Sequence, residues 1–344
     1  DEDFINIYQD EKDSCIQVFF SRDGKISGRE DFIFENTAND TISENLEDFI
    51  TSFYGGTAKI PKDIYLPEIE NVELLEEFLK IKRGSKVNIK VPQKGQKKDM
   101  LEMVKNNAKI TLEKFKDKIL LEKQINQVSL RELQELLDLD EPPFRIEAYD
   151  ISNIQGVDSV GTMIVFEEGK SKNSDYRRFK IKSVKGANDY DSMREILERR
   201  FKHGLDEIQK IKDRNLKFSA GKFSYFPDLI MMDGGKGQIN VALDVLNKLN
   251  INIPVCGLVK DNKHQTRGII FNNEEFIINR SSNLMQLVRR IQDEVHRFAI
   301  TYHRTLRDKR TLLAVNTVNI YGSFVNIIKF QALTLYFGFN SHIF

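Results

Sequence analysis

The sequence predicts an α/β protein of two units, each a mixed sheet flanked by helices. Three observations predict it. Short strands open both halves of the chain, at residues 4–35 and again from Arg145. Apolar residues at helical spacing follow in each half. Both halves then run in one order: three strands, a helix, a strand, a helix and a strand.

In the first half, Ile5–Tyr8, Ile16–Phe20 and Asp31–Phe34 read as strands, with the clearest turn at Asp23-Gly24. Leu46, Phe49, Ile50 and Phe53 recur at helical spacing, Asp63–Leu66 reads as a buried strand, Val72–Leu79 as a helix and Val87–Val91 as a strand. From Lys98 to Leu139 the pattern is helical. Ser129 with Glu132 three residues on has the form of a capping box opening a helix through Leu130, Leu133, Leu136 and Leu137. Pro142-Pro143 marks a domain boundary. Beyond it Arg145–Ile151, Val160–Phe166 and Tyr176–Ile181 are three more strands. A helix through Met193, Ile196, Leu197 and Phe201 leads to the apolar strand Leu229–Met232. Ile239, Ala242, Leu243, Leu246 and Leu249 mark the next helix, Val255–Val259 the next strand. After a short hairpin, Leu284, Leu287, Val288, Ile291, Val295 and Phe298 define a last amphipathic helix. The domains expected are a first lobe at 1–97, a helical linker at 98–143, a second domain at 144–310 and an apolar tail at 311–344.

The halves also share words. Ile5–Gln9 aligns with Ile146–Asp150, Ala38-Asn39-Asp40 with Ala187-Asn188-Asp189, and Asp63–Pro67 with Leu229–Asp233. This reads as a degenerate internal duplication in which Gln9 and Pro67 stand for Asp150 and Asp233; two α/β units with coincidental similarity are the alternative. The tail contains a single charged side chain between 313 and 344, Lys329, directly after a basic stretch, Arg304–Arg310.

Composition narrows the function. The 344 residues suffice for about two domains. Lys plus Arg and Asp plus Glu each number 52, which excludes a uniformly basic coat and leaves room for local patches. No apolar run of about 18 residues exists, so no membrane span is expected. Cys15 and Cys256, far apart, exclude a disulfide scaffold and a Cys-rich zinc site, and fit a reducing cytoplasm. A start at Asp1 without Met or signal peptide reads as an excised fragment.

Asp150 and Asp233 carry the chemistry. Each lies in or directly after an apolar strand, where an unpaired carboxylate is costly to bury. Two such residues on neighbouring strand ends put oxygen donors for a hard divalent ion at one sheet edge; each alone could equally cap a turn. Gly234-Gly235-Lys236-Gly237 is neither a Walker A loop, lacking Ser or Thr after the lysine, nor a dinucleotide fingerprint, since Asn240 takes the third glycine position. It leaves a strand-to-helix turn with one lysine near a helix N-terminus, suited to a phosphate. On the last helix His296 and His303 stand seven residues apart among Arg289, Arg290, Arg297, Arg304, Arg307, Lys309 and Arg310, either a solvated face or a phosphate-backbone surface.

Tyr149-Asp150-Ile151-Ser152-Asn153, Tyr176–Phe179, Asn188-Asp189-Tyr190, Asp233–Gln238 and Asp293–Ala299 together make the chain resemble the UvrC family, over roughly residues 1–310. The resemblance implies an RNase H-like endonuclease domain at 144–310, preceded by a degenerate RNase H-like lobe, acting in bacterial nucleotide excision repair to cut damaged double-stranded DNA 5′ to the lesion. It implies a catalytic set of Asp150, Asp189, Asp233 and His296, with Asp150 and Asp233 holding Mg²⁺ or Mn²⁺. His296 takes a place where many RNase H-like enzymes have another carboxylate, and Asp189 serves as an outer ligand or orienting group. Lys260 and His264 fall in a loop similar to the family's loop near the site. Lys236, Lys260, Arg289, Arg297, Arg304 and Arg307 are the expected phosphate contacts, and UvrB, with UvrA upstream, the expected partner. The family's GIY-YIG nuclease module, its UvrB-binding helical hairpin and its helix-hairpin-helix motifs have no match in this sequence. A binding fragment that cuts nothing, or an RNase H-like nuclease acting on modified bases, are the rival expectations.

Overall fold

The structure, a computed structural model, describes residues 1–56, 59–154, 158–184, 188–214, 221–261 and 265–301. The chain divides into two compact units, with the boundary between Glu122 and Lys123. His264, His303, Arg304, Arg307, Lys309, Arg310 and the tail at 311–344 lie outside the described residues.

The first unit opens with an antiparallel meander, β1 (Glu2–Gln9), β2 (Ser14–Arg22) and β3 (Lys25–Phe34). Helices α1 (Ile42–Gly55) and α2 (Val72–Arg83) alternate with β4 (Asp63–Tyr65) and β5 (Asn88–Lys90), which add in parallel to give the order β3-β2-β1-β4-β5. Thr41 starts α1 through a complete capping box with Glu44. Strand alternation sorts the core: Ile5, Ile7, Ile16 and Val18 pack with Leu46, Ile50 and Leu79 of the two helices. Phe4 and Phe19, on the other face, meet Leu101 and Val104 of α3 (Gln96–Leu137). Asp3 is fully buried, accepting from the Tyr54 hydroxyl at 2.6 Å and from Arg22 at 2.8 Å; burial raises its pKa despite both.

The second unit repeats the plan. The strands β6 (Arg145–Ile154), β7 (Asp158–Glu167), β8 (Lys170–Ser171) and β9 (Arg177–Lys180) precede α4 (Asp189–Asp213), β10 (Leu229–Met232), α5 (Lys236–Lys248) and β11 (Val255–Lys260). The hairpin β12 (Thr266–Phe271) and β13 (Glu274–Ile277) and helix α6 (residues 283–301) follow. The sheet runs β13-β12-β11-β10-β6-β7-β8, with β9 also on β7. Strands β6, β10 and β11 are parallel, and β7 and β12 flank them antiparallel. β10 is buried on both faces, which is why it reads as an unbroken apolar run.

Alternation along β6 sets the second unit's polarity. Glu147 and Tyr149 face α4, where Arg200 Nη2 donates to Glu147 Oε1 at 2.7 Å and the Tyr149 hydroxyl to Glu147 Oε2 at 2.6 Å. Arg200 also donates to the Phe223 and Tyr225 carbonyls, each at 2.7 Å. Arg200 and Glu147 side chains have no solvent exposure. Asp150, on the opposite phase, faces α6.

The strands and helices expected from the sequence are present; several run longer at their ends, β3 by six residues at its start, whereas β4, β5 and β9 are shorter by one residue at one or both ends, and the two-residue β8 is additional. Two expectations are corrected. Ser129 opens no helix: α3 is continuous there, the Ser129 hydroxyl donates to the Ile125 carbonyl at 2.8 Å, and Glu132 instead accepts the Leu284 N–H at 2.9 Å, at the start of α6. Leu101, Val104 and Leu112 of α3 are buried in the first unit, and Leu130, Leu133 and Leu137 in the core of the second.

The second correction concerns the internal alignment. Strand order and direction agree between the units, yet Gln9 is not the counterpart of Asp150. In the second sheet Met232 pairs with Tyr149, which sets Asp233 beside Asp150; in the first, Phe4 pairs with Tyr65, and two residues on Asn6 stands beside Pro67. The faces agree: Asn6 lies on the α3 side, donating to the Leu101 carbonyl at 2.8 Å, while Gln9 bonds the Thr37 and Asp40 carbonyls before α1. A three-residue slip changes the face as well as the position.

Removing one member of a buried pair leaves the other charge uncompensated, at a cost of about 3–5 kcal/mol. Arg200→Met is therefore expected to lower the unfolding free energy of the second unit by that order in urea titration. Combining it with Glu147→Gln recovers a measurable part.

Candidate active site

The site forms where β6 and β10 end side by side. The Asp233 N–H donates to the Tyr149 carbonyl at 3.1 Å, continuing the parallel ladder one residue past β10 and fixing the backbone of Asp233 next to Asp150. The turn that follows passes close over β11: a Cβ on Gly257 would lie 2.3 Å from the Gly234 carbonyl oxygen, so this position accepts only glycine.

Helix α6 supplies the third group. Ser282 caps it, its hydroxyl accepting the Met285 N–H at 3.1 Å. Leu284, Leu287, Val288, Ile291 and Val295 seat it on the core, and this orients His296 toward the strand ends. His296 Nε2 lies 3.1 Å from Asp233 Oδ2, and Nδ1 3.9 Å from Asp150 Oδ2. The Asp233 side chain is 4% exposed, that of Asp150 16% and that of His296 44%, so the histidine is the most open of the three.

The other oxygen of Asp233 is held from within the protein. Lys260 Nζ is 3.0 Å from Oδ1, and Gln292 Nε2 donates to the same atom at 3.3 Å. Lys260 reaches it by regular alternation: Met232 pairs with Gly257, so Asp233 falls beside Leu258, and Lys260 two residues on shares that face, while the β11–β12 register shift between Val259 and Lys260 sets Thr266 opposite it. Its cross-strand partner Thr266 donates its hydroxyl to Gln292 Oε1.

Asp150 is held protonated to unusually high pH, its pKa pushed up to about 6. Burial is the larger cause and the neighbouring Asp233 charge the second; His296 and Lys260 act in the opposite direction. Two carboxylates that repel each other in a partly desolvated cleft, with an imidazole beside them, form a donor set suited to a hard divalent cation. The residues fit such an ion chemically. They are not preassembled as a cage, for among the described residues no three His, Cys, Asp or Glu side chains are grouped to hold one.

The remaining expected residues are placed as follows. Asp189 begins α4 and Lys236 begins α5. They line, with Tyr190 and Gly235–Gln238, an open cleft of about 590 Å³ that does not include Asp150, Asp233 or His296. The Tyr190 ring is packed on Gly237, where a Cβ would approach it to 2.6 Å. Arg289 is exposed on α6. Arg297 forms a two-pronged pair with Glu294 at 2.7 and 2.6 Å. The Tyr176–Phe179 motif meets the histidine motif, Arg178 lying 4.0 Å over the Phe298 ring.

Gln292 and Thr266 were not anticipated. The signal for Gln292 was present: a polar residue four positions before His296, inside an apolar helical stripe, and here only 8% exposed. Thr266 had no signal, because its role depends on a bulge across the sheet.

With this geometry established, comparison with known proteins identifies the family. The model of the UvrC RNase H endonuclease domain matches residues 134–300, and that of the UvrC ribonuclease H-like domain residues 1–115. UvrABC system protein C of Clostridium beijerinckii is 72% identical over 315 residues, covering 92% of this chain and 51% of the relative. That of Clostridium perfringens is 68% identical over 316 residues, with the same coverage. The chain thus spans about half the length of the curated relatives it matches. Among solved structures the likenesses are remote. Ciona intestinalis endonuclease V, in complex with an inosine-containing DNA, gives a TM-score of 0.24 at 16% identity, over 41% of this chain and 59% of that one. With both units matched in order by domains of one family, and relatives this similar along 92% of its length, the chain belongs to the UvrC family.

Proposed function

We propose that this chain carries a divalent-metal-dependent DNA endonuclease of nucleotide excision repair, hydrolysing a phosphodiester on the 5′ side of a lesion. The observation that carries the reading is the convergence of Asp150, Asp233 and His296 at the paired ends of β6 and β10. Family membership supports the repair context, with damaged double-stranded DNA as substrate, UvrB as partner with UvrA acting upstream, and the cytoplasm as location. No helix among the described residues is long and apolar enough to cross a membrane.

Asp150 and Asp233 would hold Mg²⁺ or Mn²⁺, which supplies a Lewis acid for the charge on the scissile phosphate and lowers the pKa of the attacking water. The chain's own groups do the rest. Asp150 must be ionised to serve, and its tendency to keep a proton is the cost of sitting beside Asp233 in a buried setting. Lys260 neutralises one oxygen of Asp233 and adds positive charge beside the place where the phosphate would sit. His296, the most exposed of the three, is the group able to exchange a proton with the reacting oxygens. Asp189 and Lys236 share a cleft at the starts of α4 and α5, where Lys236 would meet a backbone phosphate and Asp189 would orient it. Arg289 extends that contact along α6; Arg297, engaged with Glu294, must exchange partners to join it.

The test is incision of a duplex carrying a lesion and a preformed 3′ nick, with Mg²⁺ or Mn²⁺, UvrA and UvrB. A new 5′ cut that Asp233→Asn loses, while its circular dichroism is unchanged, is the expected result; a cut that survives the substitution would overturn the assignment.

Asp150 also makes a stability prediction. Its folded pKa of about 6 lies above the ordinary aspartate value of 3.8. The stability it contributes is therefore complete below pH 4 and is lost as pH rises through 6. At pH 7 the loss is at most about 3 kcal/mol, each tenfold change in proton affinity being worth about 1.4 kcal/mol. Asp150→Asn is expected to raise the Tm at pH 7 by several degrees while abolishing incision, with the difference closing near pH 4, as read by calorimetry on the metal-free protein.

A further inference from the structure

The geometry points to Gln292 as a positioning residue that, with Thr266 behind it, fixes which oxygen of Asp233 faces the ion. This inference rests on the metal-dependent reading above and goes beyond it.

Asp233 has two oxygens with different surroundings. Oδ2 faces His296 and the open side of the cluster. Oδ1 faces inward, where it accepts from Lys260 Nζ at 3.0 Å and Gln292 Nε2 at 3.3 Å. A carboxylate on a short side chain can rotate about χ2, so a single flexible lysine, here 31% exposed, does not define its plane. A second donor from a rigid helix does. Gln292 is such a donor only if its amide is the right way round, and an amide can turn either end forward. The ionised Asp233 carboxylate only accepts, so it draws the NH₂ end, and the buried Thr266 hydroxyl satisfies the Oε1 left behind by donating to it, which holds the amide in that setting. Lys260 and Thr266 are cross-strand partners where the register shifts, so the groups that make the direct and the relayed contact to one oxygen stand side by side. Outer groups that orient a metal-binding carboxylate are typically worth 10–100-fold in metal affinity or activity.

The experiment measures Mn²⁺ binding to the full 344-residue chain without DNA, by the electron paramagnetic resonance signal of the free ion. Incision is measured in parallel. Gln292→Leu is expected to weaken Mn²⁺ binding 10–100-fold. The isosteric Gln292→Glu, which replaces a donor with a repelling carboxylate, is expected to weaken it at least as much. Thr266→Val should show a smaller loss in the same direction, restored by Thr266→Ser, and the Thr266→Val, Gln292→Leu double variant should be no worse than Gln292→Leu alone. A purely structural role predicts instead that the two losses add and that Mn²⁺ affinity falls only as Tm falls; either result overturns the inference, as does wild-type affinity in Gln292→Leu. A wild-type chain that binds no Mn²⁺ and makes no cut would overturn the metal reading itself, an outcome distinguished by the wild-type arm alone.

Discussion

The buried pair between Glu147 and Arg200 decides what the second unit can do. A strand has two faces, and a slip of one residue exchanges them. The pair, completed by Tyr149 and by two backbone carbonyls, commits the odd-numbered residues of β6 to α4. Asp150 is thereby committed to the other side, toward α6 and His296. An apolar residue at 147 would make a tighter core in simple area terms, and buried ion pairs are generally poor stabilisers. What this one contributes is a single answer to the question of register, at the strand whose register places a carboxylate.

From that fixed strand the site is assembled by successive constraints, each weaker in sequence than in space. The ladder carries one bond beyond β10 to hold the Asp233 backbone. Gly257 lets the turn cross over β11. The register shift beside Lys260 sets Thr266 opposite it, within reach of Gln292. The electrostatic result is a cluster of two carboxylates, one of which resists ionisation, with a lysine and a histidine that both lie closest to Asp233. Such an arrangement is poor at being stable and well suited to being completed by a cation and a phosphate.

The pattern of what the sequence made legible follows from this. The fold was readable because β10 and the helices announce themselves by period, and the duplicated order is a property of many residues at once. Asp150, Asp233 and His296 were readable because a polar group in or beside an apolar run is an anomaly visible in one dimension. Ser129 misled because Ser-x-x-Glu satisfies two geometries, and the choice between a cap and a back-bond to Ile125 is made by how the rest of α3 packs. Gln9 misled because Ile-x-x-Tyr-Gln resembles the words around Asp150, whereas the register of β1 against β4 selects Asn6. Thr266 could not be read at all, since its contact is defined by a bulge and by the amide orientation of another residue.

The asparagine at position 6 has one more consequence. Its two side-chain ends are both occupied by backbone: the oxygen accepts from the Ile7 N–H at 2.9 Å, and the nitrogen donates to the Leu101 carbonyl. An aspartate there would keep the shape and the first bond but turn the second from attraction into repulsion, with a carbonyl oxygen held against a charge in a buried place. The first sheet is thus separated from a carboxylate-bearing edge by one atom of composition and by the whole packing of α3. A substitution that is chemically minimal carries the cost of a buried charge facing a carbonyl oxygen.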